Sequence, residues 1–140
     1  MNTFAGKCHC GNLGFAYRTA LAPRDWPVRA CQCTFCRRHG ALSTSDPAGT
    51  VEFRIADPAK VIRYRFGRRL GDFLICGGCG IYVAACMQSP RGYFAVINLN
   101  TLDPIPGDLA KPEPMDYEAE TAEQRTGRRE RRWTPVIGPI

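Results

Sequence analysis

Three cysteine clusters constrain this chain more than any other feature. Cys8 and Cys10 lie in KCHCG, Cys31, Cys33 and Cys36 in CQCTFCRRHG, and Cys76 and Cys79 in ICGGCG. Side chains at i and i+2 of an extended segment leave the same face, about 6–7 Å apart along the chain. Both sulfurs of a C-x-C pair therefore reach one metal ion, whereas a disulfide between them would be strained. In C-x-x-C the chain turns back around the ion, and the glycines of Cys76-Gly77-Gly78-Cys79-Gly80 tolerate the positive φ that such turns require. A thioredoxin-type redox pair is the rival reading of this segment. It opens a helix in a βαβ setting, and here the strand-like IYVAA follows instead.

The clusters divide into two sites. Cys8 and Cys10 joined to Cys76 and Cys79 make a four-thiolate set, the closed kind of structural zinc site. Cys31, Cys33 and Cys36 remain, and three protein ligands with one open position are the arrangement of a catalytic zinc. His39, three residues after Cys36, is the competing fourth ligand; with it both sites would be structural. His9 stands between two cysteines on the strand, so its side chain is expected to point away from the metal. Cys86 has no partner in the sequence and reads as a small buried hydrophobe.

The rest of the pattern is mainly β. Leu13–Arg18, Val51–Ile55, Val61–Phe66 and Tyr93–Leu99 have the composition of half-buried or buried strands. FLICGGCGIYVAAC reads as strand, tight turn, strand. Five or six short strands and one helix are expected. The texture changes from Asp103: DPIPGDLAKPEP is proline-rich, and MDYEAETAEQRTGRRERRW runs from acidic to basic, the order that suits a helix dipole. The expected organisation is a zinc-binding β domain over residues 1–107. An extension over 108–140, part helical and part irregular, would dock on it through Trp133.

Composition sets the bounds. The chain has 140 residues, one domain's worth, with 44% hydrophobic and 23% charged residues. No apolar run approaches the roughly 20 residues of a membrane span. Eight cysteines without a secretion signal point to a reducing, cytoplasmic setting, where metal binding is favoured over disulfides. The formal charge of +6 invites a nucleic-acid partner. Seven thiolates on two zinc ions would lower it by three, and much of the excess sits in RRERRW rather than in a stripe among aromatics. No nucleic-acid or membrane partner is expected.

In this order the motifs resemble the glutathione-dependent formaldehyde-activating enzyme family. KCHCG, C-x-C-x-x-C-R-R with Gly40-Ala41 after it, ICGGCG and the strand ending INLNTLDP carry the resemblance, over roughly residues 5 to 105. The family shares its domain with the centromere protein V group, and its fold resembles the zinc-stapled antiparallel sheets called β-tents. The resemblance implies a β-tent with two Zn2+ ions, Cys8, Cys10, Cys76 and Cys79 at the structural one and Cys31, Cys33 and Cys36 at the catalytic one. It implies carbon–sulfur lyase activity, the reversible joining of the glutathione thiol to formaldehyde. One position departs: members often read C-H-C at the start of the second cluster, and here Gln32 occupies the middle place. Arg37 and Arg38, beside the metal loop, are the candidates for pairing with glutathione's two carboxylates. A zinc-stabilised binding module without catalysis is the alternative reading.

Overall fold

A computed structural model describes all 140 residues. The protein is mainly β, with eleven strands and two α-helices, and no helix is long and apolar enough to cross a membrane. Strands β1 (Asn2–Lys7), β2 (Leu13–Thr19) and β5 (Thr50–Ile55) form one antiparallel flank, with β2 in the middle. Strands β6 (Val61–Tyr64), β7 (Asp72–Cys76), β8 (Tyr82–Ser89) and β9 (Gly92–Asn98) follow as an antiparallel meander. The short strands β3 (Arg29–Cys31) and β4 (Ser43–Thr44) continue the sheet beyond β9.

The C-terminal segment is part of this sheet. Strand β10 (Glu113–Met115) pairs in parallel with β3, and β11 (Thr134–Ile137) lies between β5, in parallel, and β9, antiparallel. The sheet is therefore mixed rather than wholly antiparallel, and residues 108–140 supply two of its strands. Between them runs α2 (Ala122–Arg132). Thr121 and Gln124 close a capping box at its start, and Trp133 ends it, buried. The helix continues through Gly127, because caps and docked flanks outweigh the loss of roughly 1 kcal/mol that an internal glycine brings.

Alternation along β9 divides the interior. Ala95 and Ile97 face the larger core with Leu13, Tyr17 and Trp26, while Phe94 and Val96 face a smaller cluster with Trp133. Strand β8 follows the same alternation until a bulge: Leu74 pairs with Ala84, but Ile75 pairs with Tyr82, leaving Val83 as the extra residue. Val83 and Ala84 consequently both enter the larger core, and Tyr82 swings to the smaller cluster. Without the bulge, strand periodicity would put Tyr82 on the opposite face. That smaller cluster, which also packs Phe35 and Cys36, is the floor of the site described next.

Candidate metal centres and the adjoining cavity

The seven clustered cysteines gather into two groups, Cys8/Cys10/Cys76/Cys79 and Cys31/Cys33/Cys36, with ligand atoms within 4.8 Å of one another in each. In the first, Cys8 and Cys10 Sγ atoms are 3.7 Å apart and Cys10 and Cys76 Sγ atoms 3.5 Å apart. A tetrahedral thiolate site with metal–sulfur bonds of about 2.3 Å sets its sulfurs about 3.8 Å apart, so the spacing suits a single ion. The turns that deliver these sulfurs are hydrogen-bonded. Cys8 N–H donates to the Leu13 carbonyl at 2.8 Å, and Leu13 N–H donates to Cys8 Sγ at 3.3 Å. Gly80 N–H donates to the Cys76 carbonyl at 2.7 Å, and Gly80 takes φ +83°, a conformation that L side chains resist.

Desolvation, the largest single influence on Cys79, pushes its thiol up. Backbone N–H groups of Cys10 and Ile81 and the thiols of Cys76 and Cys8 outweigh it and hold Cys79 at about 6. Cys10 goes the other way: a backbone bond from Asn12 lowers it, but contact with Cys76, desolvation and contacts with Cys8 and Cys79 outweigh that and push it up to about 11. The neighbouring sulfurs thus oppose one another's ionisation until a cation joins them.

The second group is local. Cys31 ends β3, Cys33 caps the short helix α1 (Thr34–His39), and Cys36 lies one turn into it. Cys36 N–H donates to Cys33 Sγ at 3.3 Å. The three sulfurs crowd one another: contacts with Cys31 and Cys33 push Cys36 strongly up, and contact with Cys33 pushes Cys31 up. Bonds from Cys31 and Cys36 hold Cys33 far below the ordinary thiol value. Without a cation the three sulfurs oppose one another's ionisation. A bound dication removes that conflict, and an all-sulfur set selects a soft or borderline one.

His39 is not a member of the group. Its ring packs against Phe35, centroid to centroid 4.4 Å, and it is exposed. His9 is also exposed, between the two cysteines of its turn. Cys86 is buried in the larger core, where burial pushes its thiol up. Gln32 N–H donates to the Met115 carbonyl at 2.8 Å, so β10 braces the three-cysteine loop.

The second group opens on a cavity. About 350 Å³ of space adjoins Cys31, Cys33 and Cys36, walled by Phe66, Phe73, Tyr82 and Trp133. Phe35 sits at the centre of the aromatic stack behind it, 4.7 Å from Phe73 and 5.0 Å from Tyr82. Arg29, Arg69, Arg125, Arg128 and Arg129 also line the cavity, against the acids Asp116 and Glu118. Arg37 and Arg38 are exposed on α1 and outside this lining; Arg38 donates to the Thr34 carbonyl at 3.0 Å.

The glutathione-dependent formaldehyde-activating enzyme (GFA) family matches residues 3–120, which contain all seven clustered cysteines. The chain belongs to the GFA family. The match ends ahead of α2, so the arginines of that helix lie outside it. A crystal structure of a Rhodobacter sphaeroides protein is similar, with 26% identity and a TM-score of 0.58, covering 79% of this chain and 99% of that one. No curated protein matches the chain.

The arginines of α2 had a sequence signal only in part. RRERRW marks a basic stretch, but nothing local indicates that Arg125, Arg128 and Arg129 turn towards a cysteine loop some ninety residues earlier.

Proposed function

We propose that this GFA-family protein is a zinc-dependent carbon–sulfur lyase acting on thiol–aldehyde adducts of the glutathione–formaldehyde type. The observation that supports this most is the contrast between the two cysteine groups. Four sulfurs close one of them, while the other offers three sulfurs and stands in the wall of a cavity large enough for a small substrate. Zinc fits both sets by donor chemistry, Cys8, Cys10, Cys76 and Cys79 as the structural set and Cys31, Cys33 and Cys36 as the catalytic one. Zinc bound by three thiolates supplies Lewis acidity and a seat for a soft sulfur donor.

The remaining work falls to the chain. In the joining direction a bond forms between the thiol sulfur and the carbonyl carbon, and the thiol proton passes to the carbonyl oxygen. Cleavage reverses both, with no net oxidation or reduction. Phe66, Phe73 and Trp133 keep water from the reacting atoms, and the cationic wall attracts an anionic thiol. Gln32 stands in the lining where family members often have histidine. Its carboxamide donates to the Ala30 carbonyl at 2.8 Å and cannot carry a proton at neutral pH, so it shuttles none.

Exchange spectroscopy of glutathione with carbon-13 formaldehyde tests this directly. Zinc-loaded protein should accelerate interconversion of free and thiol-bound formaldehyde over buffer, and Cys36→Ser should abolish the gain. Exchange no faster than in buffer, with zinc bound at both sites, would overturn the lyase reading in favour of a zinc-stabilised binding module.

A further inference from the structure

The geometry points to a carboxylate seat at Arg129, on α2, which selects acidic thiols over neutral ones for the three-cysteine centre. This rests on the lyase reading for the thiol, but the seat itself rests on the cavity.

Three of the other four cavity arginines are engaged within the chain. Arg128 donates from Nε and Nη2 to Glu120 at 2.8 and 3.0 Å, and its guanidinium lies 3.6 Å from the Tyr117 ring centroid. Arg125 donates to Glu120 at 3.4 Å and to the Tyr117 carbonyl at 2.8 Å. Arg29 donates to Ser45 Oγ at 2.9 Å. Arg69 is exposed at the rim.

Arg129 has no such partner. Its guanidinium lies over the Trp133 ring, 4.5 Å from the centroid, and its Nε is buried without a hydrogen bond. No carboxylate stands within ion-pair distance of it. Gly71 leaves the room it occupies: a Cβ there would meet Arg129 Nη1 at 3.3 Å. Burial first, then Arg128 and Arg125, lower Arg129 to about 10. A desolvated guanidinium among like charges is costly unless an anion joins it. The planar fork of two N–H groups matches a carboxylate. Asp116 and Glu118, the cavity's own acids, are both exposed and pair with no arginine. No acid of the chain answers this guanidinium, which leaves an anion in the cavity it lines as its partner. Arg129, over Trp133, and the three sulfurs line the same cavity, so one ligand can present a carboxylate to the arginine and a thiol to the sulfurs.

Binding measured by calorimetry on the zinc-loaded full chain separates this seat from the chemistry. S-methylglutathione, which has carboxylates but no thiol, should bind, and its dimethyl ester should bind at least about tenfold more weakly. Arg129→Gln should weaken S-methylglutathione about 10- to 100-fold and leave 2-mercaptoethanol unchanged. Equal binding of acid and ester, or an Arg129→Gln variant that folds and binds the acid normally, would overturn the seat. Should Arg129→Gln not fold, Arg129→Lys replaces it: it keeps the charge but loses the fork, and a loss of affinity for the acid but not for 2-mercaptoethanol is again expected. An unchanged affinity would overturn the seat. Loss of formaldehyde exchange with these affinities intact would count against the lyase reading alone.

Discussion

Cys76 and Cys33 are the same side chain under different constraints. Cys76 is fully buried at the end of β7, and its sulfur lies 3.5 Å from that of Cys10, sixty-six residues away. Metal binding there ties the first turn of the chain to the central hairpin, so its binding energy is folding energy. Cys33 belongs to a six-residue run and ties nothing distant. Cys76→Ser should therefore lower the melting temperature by about 10 °C or more, the equivalent of roughly 3 kcal/mol. Cys33→Ser should lower it by only a few degrees while removing one equivalent of metal. Thermal melts with metal analysis of both variants check this, and equal destabilisation would contradict the division into two kinds of site. The grouping of the cysteines into four and three was legible in the sequence, because the spacing inside each cluster is local and only three clusters had to be shared out. The role of Tyr82 was not, because a one-residue bulge decides which face it takes, and the energy that fixes a bulge is spread over the paired strands.

At the scale of elements, α2 is held by Glu120. Desolvation is the largest single influence on this carboxyl and raises it, but bonds and charge from Arg128, then Arg125, outweigh it and keep it below its ordinary value of 4.5. A carboxyl depressed in the folded state contributes stability that is fully present above its unfolded value and is lost as pH falls through its folded value. Glu120→Gln should thus destabilise the protein by roughly 1–2 kcal/mol at neutral pH. The gap to the unsubstituted protein should stay level down to about pH 5 and close progressively below it. Denaturant unfolding at stepped pH measures it, and a gap that widened on acidification would refute the assignment. Helix α2 could be read from its charge order. Strands β10 and β11 could not: EPM and TPVI are short and carry proline, and their place is set by partners about forty to eighty-five residues away.

The same two strands decide what the molecule is as a whole. Thr134 Oγ1 accepts from Asp46 N–H at 2.8 Å, Asp46 accepts from Thr19 at 2.6 Å, and β11 joins the N-terminal flank to the meander. A chain ending at residue 107 should lack a cooperative melt by circular dichroism even with metal present, although it retains all seven clustered cysteines. Cooperative folding of that fragment would show that β11 merely covers a finished domain. The closed group and this strand together brace a sheet whose second face carries the aromatic cavity, and the three-cysteine loop is pinned to that cavity by β10 from one side and the Phe35 stack from the other.

The central claim is that one metal centre is closed and the other accepts a substrate thiol. Cobalt substitution tests it most directly, since tetrahedral thiolate-bound cobalt(II) has a visible spectrum that depends on its ligands. Titrating the two-cobalt protein with glutathione should perturb the part of the spectrum due to one ion and leave the other unchanged, and in Cys33→Ser only the insensitive part should remain. A spectrum indifferent to glutathione at saturating concentration, with both ions bound, would mean that the three-cysteine centre is already closed and would contradict the account.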